Sequence, residues 1–382
     1  MARPFGVYVH FPYCTHRCPY CDFAVSTARP PAAGRFARAL LAELRLRAGA
    51  FDGLEPVSLY LGGGTPSLWD PAEVAEVIAA VRRRFGLAAG AEVTIEANPE
   101  STDRARLSAW RAAGVNRISV GAQSFDRGVL AKLGRLHTPE AAERAIRDAA
   151  EVMGNVSVDL IYAARRSTVE TARDDATRAA AAGAAHVSAY ALTLDRDVLA
   201  EEVPLARLAR QGRLPLPGPD ETVAQSAAIR SALRRAGLLR YEISNYARPG
   251  HESVHNRLYW DGESYLGLGP GAFGCRRGDA GAGTVRYGNV RDADAWMAAV
   301  EADRLAAADE ERLAAAQERN ERLMLALRTR RGCPLGDLLP AQAREAETLV
   351  RRRLAVRRAG RLVLTSRGME LHSAVSERLF ER

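Results

Sequence analysis

The first half of the chain alternates short runs of apolar, mainly β-branched residues with longer stretches of helical periodicity. The apolar runs cover residues 7–11, 58–61, 93–97, 117–121, 156–162 and 186–192. The helical stretches cover residues 35–48, 71–85, 103–113, 138–150 and 169–182. Strands that alternate with helices in this way indicate βαβ units and a parallel sheet. The pattern therefore predicts an α/β fold.

The polar motifs of this region fall at the ends of the predicted strands. Ligand-binding groups at every strand end are typical of barrels, whereas a doubly wound sheet binds its ligand mainly at one switch point. The six runs are too few for a closed eight-stranded barrel. We therefore expect a partial (β/α)6 barrel, although spacing alone does not exclude a doubly wound sheet.

The second half of the chain has a different pattern. Residues 203–219 contain four prolines and predict a loop or boundary, which a helix over 221–236 follows. Further helices are predicted over 311–328, 341–355 and 366–379, and a strand pair over 355–364 turns at Gly360. Helices around a small hairpin indicate a winged-helix-like α+β unit. We expect a barrel domain over 1–202, a linker and a segment that binds a cofactor or substrate over 203–304, and the C-terminal domain over 305–382.

Composition and charge exclude only a few classes of protein. The 382 residues carry a formal charge of +8, and almost all of the basic residues are arginines on predicted helix faces. The arginines at 351–353 and 357–358 lack interleaved aromatic residues, so we expect no nucleic-acid partner. No signal peptide and no apolar run of membrane-spanning length is visible, which predicts a cytoplasmic protein with at most peripheral membrane contact.

The most specific motif is the CxxxCxxC loop of Cys14, Cys18 and Cys21, directly after the first predicted strand. Three thiolates on one loop can bind three irons of a [4Fe–4S] cube and leave the fourth iron open to a chelating ligand. Zinc is the alternative, but a structural zinc site needs a fourth ligand and no second cysteine pair exists. Cys275 and Cys333 are isolated, and we expect them to be ordinary residues.

The cysteine loop resembles that of radical S-adenosylmethionine (SAM) proteins, and the match continues along nearly the whole chain. The supporting segments are YVHFP (8–12), GGGTPSL (62–68), EANP (96–99), NRISVGAQSF (116–125), VDLIY (158–162), YEISNYARPGHESVHNRLYW (241–260) and YLGLGPGAFG (265–274). Together they are similar to the oxygen-independent coproporphyrinogen III oxidase family. This resemblance implies a radical SAM barrel with a [4Fe–4S] cluster on the three cysteines and SAM at the open iron.

A SAM site is also indicated by the polar residues at the strand ends. Glycines after the second strand allow a ligand to approach the backbone, and an arginine can hold the SAM carboxylate with two hydrogen bonds. The residues that match SAM-contacting positions of the family are Tyr8, Gly63, Gly64, Thr65, Glu96, Gln123, Arg135 and Asp159. Lys132 is a weaker alternative to Arg135.

One segment departs from the family pattern. The family usually continues VDLIY with a Gly-Leu-Pro-Gly turn, whereas residues 163–167 here read AARRS. If the glycines serve a positive φ, alanine and arginine at their positions should change the conformation of this turn. We therefore expect an altered loop on the substrate side of the barrel mouth.

Two features favour the haem-chaperone branch of the family over its oxidase branch. Phe23 occupies the place of a fourth cysteine found in the oxidase, and HNxxYW over 255–260 is typical of the chaperones. Imidazole is a common haem ligand, so His255 is the first candidate for haem binding and His251 the second. A structural histidine remains the alternative, and His10 and His16 are expected to flank the cluster.

These features predict a haem chaperone that passes haem to an unknown acceptor protein, with respiratory haem enzymes as one class to consider. The alternative is an enzyme, an oxygen-independent dehydrogenase of coproporphyrinogen III. By resemblance it would use a 5′-deoxyadenosyl radical to abstract hydrogen from propionate side chains.

Overall fold

The computed structural model describes residues 2–30, 34–194, 203–278 and 283–381. Its first half follows the predicted alternation of strands and helices. The elements are β1 (Pro4–Phe11), α1 (Arg35–Arg47), β2 (Glu55–Gly63), α2 (Pro71–Phe85), β3 (Glu92–Ala97), α3 (Arg104–Ala113), β4 (Arg117–Gln123), α4 (Arg127–Leu133), α5 (Pro139–Met153), β5 (Val156–Tyr162), α6 (Val169–Ala181) and β6 (His186–Ala191). Strands β1 to β6 pair in parallel in chain order, which confirms the predicted parallel α/β fold.

Side chains alternate strictly along these six strands. The buried apolar set packs with the helices and includes Val7, Val9, Leu59, Leu61, Val93, Ile95, Ile118, Val120, Val156, Val158, Val187 and Ala189. The residues between them line the interior and include Tyr8, Tyr60, Thr94, Glu96, Arg117, Ser119, Ser157, Asp159, His186 and Ser188. Because successive residues of a strand face opposite sides, this alternation gives the barrel an apolar outer layer and a polar interior.

The sheet continues beyond the six predicted strands on both sides. The added elements are α7 (Pro204–Arg210), α8 (Pro219–Arg235), β7 (Leu239–Arg240), β8 (Asn245–Ala247), α9 (Val254–Asp261), β9 (Ser264–Leu268), β10 (Phe273–Arg277), β11 (Thr284–Asn289), α10 (Ala293–Glu301) and β12 (Ala307–Arg312). Strand β9 pairs in parallel with β1, and β8 pairs antiparallel with β6. In the described residues the sheet has 12 strands, so residues after 203 complete it.

The proline-rich segment is more ordered than a loop. Pro204 and Pro219 occupy first-turn positions of α7 and α8. Proline is well tolerated there, because the first N–H groups of a helix have no partner within the helix. The prediction of a loop over 203–219 was therefore wrong for 204–210, because these prolines begin helices.

The C-terminal part forms the predicted winged-helix-like unit. Its elements are α11 (Ala315–Leu327), β13 (Cys333–Pro334), α12 (Pro340–Arg351), β14 (Ala355–Arg358), β15 (Arg361–Leu364), α13 (Ser366–Glu370) and α14 (His372–Leu379). The three short strands form a separate sheet in the order β13-β15-β14, over a separate hydrophobic core. Two predicted helices differ, because residues 311–312 pair in β12 and because the last helix is interrupted at Leu371. The division into three domains stays a prediction.

Among the residues that the structure describes, no helix is both long and apolar enough to span a membrane.

Candidate functional site

A cavity of about 670 Å³ opens at the carboxyl ends of the parallel strands and extends into the barrel. His251, the second haem candidate, does not line this cavity, and its Nδ1 lies 3.2 Å from Asn155 Oδ1. The residues assigned to the cluster and SAM sites and the first haem candidate all line it: Tyr8, Cys14, Cys18, Cys21, Gly63, Gly64, Thr65, Glu96, Gln123, Arg135, Asp159 and His255. These residues come from positions spread between 8 and 255 of the chain. The structure therefore brings the predicted cluster and SAM residues and the first haem candidate to one space.

The cysteine loop leaves β1 and is closed at its base by backbone hydrogen bonds. The Cys14 N–H donates to Ser26 O over 2.9 Å, and the Ser26 N–H donates to Pro12 O over 2.8 Å. All three cysteines are free thiols. Burial raises the pKa of the Cys21 thiol to about 11, so this thiol is protonated until a metal displaces its proton.

Two glycines at the end of β2, Gly63 and Gly64, permit the close packing around this loop. A Cβ on Gly64 would lie 2.9 Å from Phe11 O, and the Gly64 N–H donates to that same oxygen over 2.7 Å. Gly63 has φ 112°, and a Cβ there would lie 2.7 Å from the ring of His10. The sequence therefore needs glycine at both positions for contacts within the chain, in addition to any contact with a ligand.

His10 connects the strand to the end of the cysteine loop. Its Nε2 lies 2.8 Å from Ala24 O, and its Nδ1 lies 3.0 Å from the Tyr8 hydroxyl. A carbonyl only accepts, so Nε2 carries the proton and Nδ1 accepts from Tyr8. Burial lowers the pKa of His10 to about 4, which keeps the ring neutral. His10 thus positions both the loop and Tyr8.

Two carboxyl groups face the barrel interior, that of Glu96 from β3 and that of Asp159 from β5. Glu96 accepts a hydrogen bond of 2.8 Å from the Tyr60 hydroxyl and one of 3.1 Å from the Gly63 N–H. Burial raises the pKa of Glu96 to about 7. Asp159 accepts from the Ser119 hydroxyl over 3.0 Å, and burial raises its pKa too. Raised pKa values at a cavity are typical of functional sites.

Gln123 ends β4 in an unusual conformation. Its φ is 64°, and the β4–β5 pairing shifts register between Val120 and Gln123. The chain after it is anchored by Asp175 of α6, which accepts from the Ser124 hydroxyl over 2.7 Å and from the Phe125 N–H over 2.6 Å. Left-handed backbone at a non-glycine residue is costly and is maintained by such anchors.

Arg135 is placed by the end of α4. Gly134 is the left-handed C-cap, and the Arg135 N–H donates to Leu130 O over 3.0 Å, which is the Schellman pattern. A Cβ on Gly134 would lie 2.6 Å from the ring of Pro19, so this glycine also lets α4 approach the cysteine loop. The Arg135 guanidinium enters the cavity, whereas Lys132 is exposed and does not line it.

His255 lies deep in the barrel, near the amino ends of β1 to β3. It lies in the first turn of α9 and is 1% exposed. Its Nδ1 lies 2.8 Å from Ser58 Oγ and its Nε2 lies 2.9 Å from Tyr259 Oη. Both ring nitrogens are thus engaged, and burial lowers the pKa of His255 to about 3.

The start of α9 is held by a buried carboxylate. Glu92 accepts from the His255 N–H over 2.9 Å, from the Val254 N–H over 3.0 Å and from the Ser253 hydroxyl over 3.3 Å. A carboxylate at a helix N-terminus satisfies unpaired N–H groups and opposes the helix dipole. The HNxxYW segment therefore closes the barrel floor. Haem ligation by His255 stays a prediction, and it requires one of its two ring hydrogen bonds to break.

The turn at residues 163–167 differs from our expectation. Ala163 has φ 56° and Arg166 has φ 76°, so both adopt the left-handed conformation at the positions where the family carries glycine. Gln225 of α8 stabilises the turn, since its Oε1 accepts from the Ala163 N–H over 2.9 Å and from the Ser167 hydroxyl over 3.0 Å. The expectation that alanine and arginine would change the conformation by excluding positive φ was wrong, since both residues adopt it here.

Several residues that line the cavity were not singled out from the sequence. They include Asn98, Tyr60, Arg117 and Ser119. The signal that could have found them is the polar residue at every second position of strands whose other positions are apolar. Asn98 follows β3 in the EANP segment, where only Glu96 was considered.

The residues at the cavity mouth fit an iron–sulfur cluster with a chelating ligand. The Thr65 hydroxyl donates to Cys14 Sγ over 3.3 Å, and Arg135 Nη1 donates to Cys18 Sγ over 3.6 Å. Arg135 Nε is buried without a partner. In the described residues no three His, Cys, Asp or Glu groups are close enough for one metal ion. A cube does not need this, since each thiolate binds its own iron.

The fold and the cysteine loop define a radical SAM protein, and residues 8–179 match the radical SAM superfamily. This superfamily implies a [4Fe–4S] cluster and SAM. The chain is 39% identical to a Mycobacterium tuberculosis protein described as heme chaperone HemW, over 98% of this chain and 94% of that protein. It is 34% identical to the Escherichia coli HemW, over 71% and 70% of the two chains. The chain belongs to the HemW family.

A mitochondrial relative and a solved structure extend the comparison. Mouse radical S-adenosyl methionine domain-containing protein 1 is 40% identical over 77% of this chain and 66% of its own length. Coproporphyrinogen III oxidase (HemN) from Escherichia coli superposes with a TM-score of 0.82 over 99% of this chain and 90% of its own, at 22% identity. The HemN match supports the fold, including the barrel and the C-terminal unit.

Proposed function

We propose that this protein is a haem chaperone that carries a SAM-liganded [4Fe–4S] cluster, binds haem and passes it to an acceptor protein. The acceptor is unidentified, and respiratory haem enzymes are one class to test. The proposal follows the description of the HemW relatives as heme chaperones, since two of them match almost the whole length of this chain. The alternative remains a coproporphyrinogen III dehydrogenase.

The observation that favours the chaperone is Phe23 beside an intact cysteine trio. Phe23 lines the cavity mouth and is 54% exposed, which is unusual for a phenylalanine. By resemblance, the oxidase has a cysteine at this place. An exposed aromatic ring at the mouth suits contact with a flat apolar ligand such as a porphyrin, whereas a thiol there would serve different chemistry.

We assign the cluster to Cys14, Cys18 and Cys21 and the SAM site to the strand-end residues around them. When bound, the cluster would supply an open iron site that SAM chelates. Glu96 and Asp159 offer acceptors to the amine and ribose hydroxyls of SAM, and Arg135 offers donors to its carboxylate. The glycines at 63 and 64 leave the backbone accessible beside the cysteine loop.

The hydrogen bonds of the histidines determine which of them could bind haem iron. His10, His186 and His255 each have both ring nitrogens in hydrogen bonds. His16 is different, because it is exposed within the cysteine loop and lines the cavity. If histidine binds the haem iron, His16 can do so without breaking a described hydrogen bond, whereas His255 cannot.

The cluster assignment is tested by anaerobic reconstitution. We expect about four irons and four sulfides per chain, the content of one cube. Replacing Cys14, Cys18 or Cys21 by alanine should abolish this content. Cys275→Ala and Cys333→Ala are the matched controls, since both thiols are buried and neither lines the cavity. Stoichiometric zinc without charge-transfer absorption would contradict the assignment.

The choice between chaperone and enzyme is tested by a paired assay on the reconstituted protein. We expect it to retain haem at one per chain and not to convert coproporphyrinogen III in the presence of SAM and a reductant. Soret spectra of His16→Ala, His251→Ala and His255→Ala then locate the ligand. Robust decarboxylation by the unmodified protein would overturn the chaperone in favour of the enzyme.

A further inference from the structure

Asn98 links two of the three cysteines through a chain of polar contacts. Its Nδ2 lies 3.3 Å from Thr65 Oγ1, which in turn lies 3.3 Å from Cys14 Sγ. Its Oδ1 lies 2.6 Å from Arg135 Nη2, and Arg135 Nη1 lies 3.6 Å from Cys18 Sγ. Asn98 is thus the central residue between the partners of Cys14 and Cys18.

The chemistry of these groups fixes the direction of each hydrogen bond. A guanidinium only donates, so the Asn98 carbonyl oxygen must face Arg135. The amide NH2 of Asn98 therefore faces Thr65 and donates to its oxygen. The Thr65 hydroxyl proton is then free to point at Cys14 Sγ. One asparagine in this orientation directs one donor to each of two sulfurs.

The backbone holds Asn98 in place before any ligand binds. The residue precedes Pro99, which restricts it to extended backbone, and its φ and ψ are −92° and 144°. Its N–H donates to Ser67 Oγ over 3.1 Å, and its carbonyl accepts from the Thr102 hydroxyl over 2.8 Å. A Cβ on Gly121 would lie 3.2 Å from Asn98 Oδ1, so a glycine there leaves room for the amide.

We infer that Asn98 is a positioning residue that raises the reduction potential of the cluster by orienting Thr65 and Arg135 toward the cysteine sulfurs. The inference rests on the cluster assignment proposed above. Hydrogen bonds to cluster sulfurs stabilise the more negative, reduced form, so their loss lowers the potential.

The decisive variant is Asn98→Asp. Aspartate keeps the shape of the side chain and an acceptor for Arg135, but its second oxygen accepts the Thr65 proton and turns the hydroxyl away from Cys14. We expect normal iron and sulfide content and a shift of the potential to a more negative value, measured by EPR-monitored redox titration without SAM. The added charge also lowers the potential, so a second arm is needed.

Thr65→Val and Thr65→Ser form that arm, because valine removes the donor without adding charge and serine retains it. We expect a lower potential for Thr65→Val and the original potential for Thr65→Ser. In the Thr65→Val background, Asn98→Asp should produce a smaller shift than in the wild type, since the two changes act through one hydroxyl.

Wild-type potentials for both Asn98→Asp and Thr65→Val, with full iron content, would overturn the inference. If Asn98→Asp does not load iron, Asn98→Ala takes its place, because alanine removes both contacts of the amide without adding charge. A wild-type potential for Asn98→Ala would then overturn the inference. Failure of the unmodified protein to load four irons would instead reject the cluster assignment, so the two failures are distinguishable.

Discussion

The carboxyl end and the floor of the barrel both carry residues that could bind a ligand, but only the carboxyl end leaves them available. At the carboxyl end, the cysteines, Glu96 and Arg135 surround open space, and Arg135 keeps an unpartnered N–H. At the floor, the His255 imidazole could also bind a metal, but both of its ring nitrogens are engaged in hydrogen bonds. The comparison teaches that a buried histidine with both ring nitrogens hydrogen-bonded must give up one of these bonds before it can bind a metal ion.

The largest effect expected from this comparison is at the floor. His255→Ala removes a buried ring and leaves the Ser58 and Tyr259 hydroxyls without their partner. We expect the free energy of unfolding to fall by about 3–5 kcal/mol, measured by urea denaturation of the metal-free protein. His251→Ala should change it by less than about 1 kcal/mol, because that ring is only partly buried. Unchanged stability of His255→Ala would show that the ring is not structural.

The fold could be predicted from the sequence largely because its strands alternate so clearly. Residues such as Val93, Thr94, Ile95 and Glu96 carry the period of two that separates the helix-facing side from the interior. The cysteine loop was equally visible. The extension of the sheet by β9 to β12 was not, because its pairing depends on contacts distant in sequence, such as Phe5 with Ser264.

The hydrogen-bond partners of the site residues could not be predicted from the sequence. Nothing in HNxxYW reveals that Glu92, more than 150 positions earlier, accepts the first N–H groups of α9. Likewise, Asn98 has no special spacing in EANP, and its importance follows only from the positions of Thr65 and Arg135 around it. Motifs predict the residue types, whereas hydrogen-bond partners require the packed structure.

The second prediction concerns the pH dependence of stability at the open end. Burial raises the pKa of Asp175 from 3.8 to about 7, so folding favours its protonated form. The stability of the wild type should then fall as pH rises between these two values. We expect Asp175→Asn to reduce the loss of stability between pH 5 and pH 8 by about 2–3 kcal/mol, measured by urea denaturation at each pH. Parallel pH profiles for the two proteins would show that Asp175 is ionised in the folded state.

The third prediction tests whether the cavity at the open end binds SAM through Arg135. Arg135→Ala should weaken SAM binding to the reconstituted protein by about 1.5–3 kcal/mol, the value of a hydrogen bond to a charged group. Calorimetry under anaerobic conditions measures this. Lys132→Ala is the matched control, since it removes a nearby cation that does not line the cavity. Equal SAM affinity in both variants would remove Arg135 from the site.

The smallest expected change in stability comes from the turn after β5. This turn has strained backbone and lies outside the proposed cluster and SAM sites. Ala163 and Arg166 both have positive φ, where a Cβ costs about 1–2 kcal/mol and glycine costs little in the folded state. Glycine also loses more entropy on folding, by roughly 0.5–1 kcal/mol, so the two terms partly cancel. We therefore expect Ala163→Gly and Arg166→Gly each to raise the free energy of unfolding by about 0.5–1 kcal/mol, as urea denaturation would show. Ala164→Gly is the control within the same turn, because residue 164 is buried and has no positive φ. Ala164→Gly should lower the free energy of unfolding by a similar amount. If all three substitutions lower it, positive φ at residues 163 and 166 does not strain the folded protein.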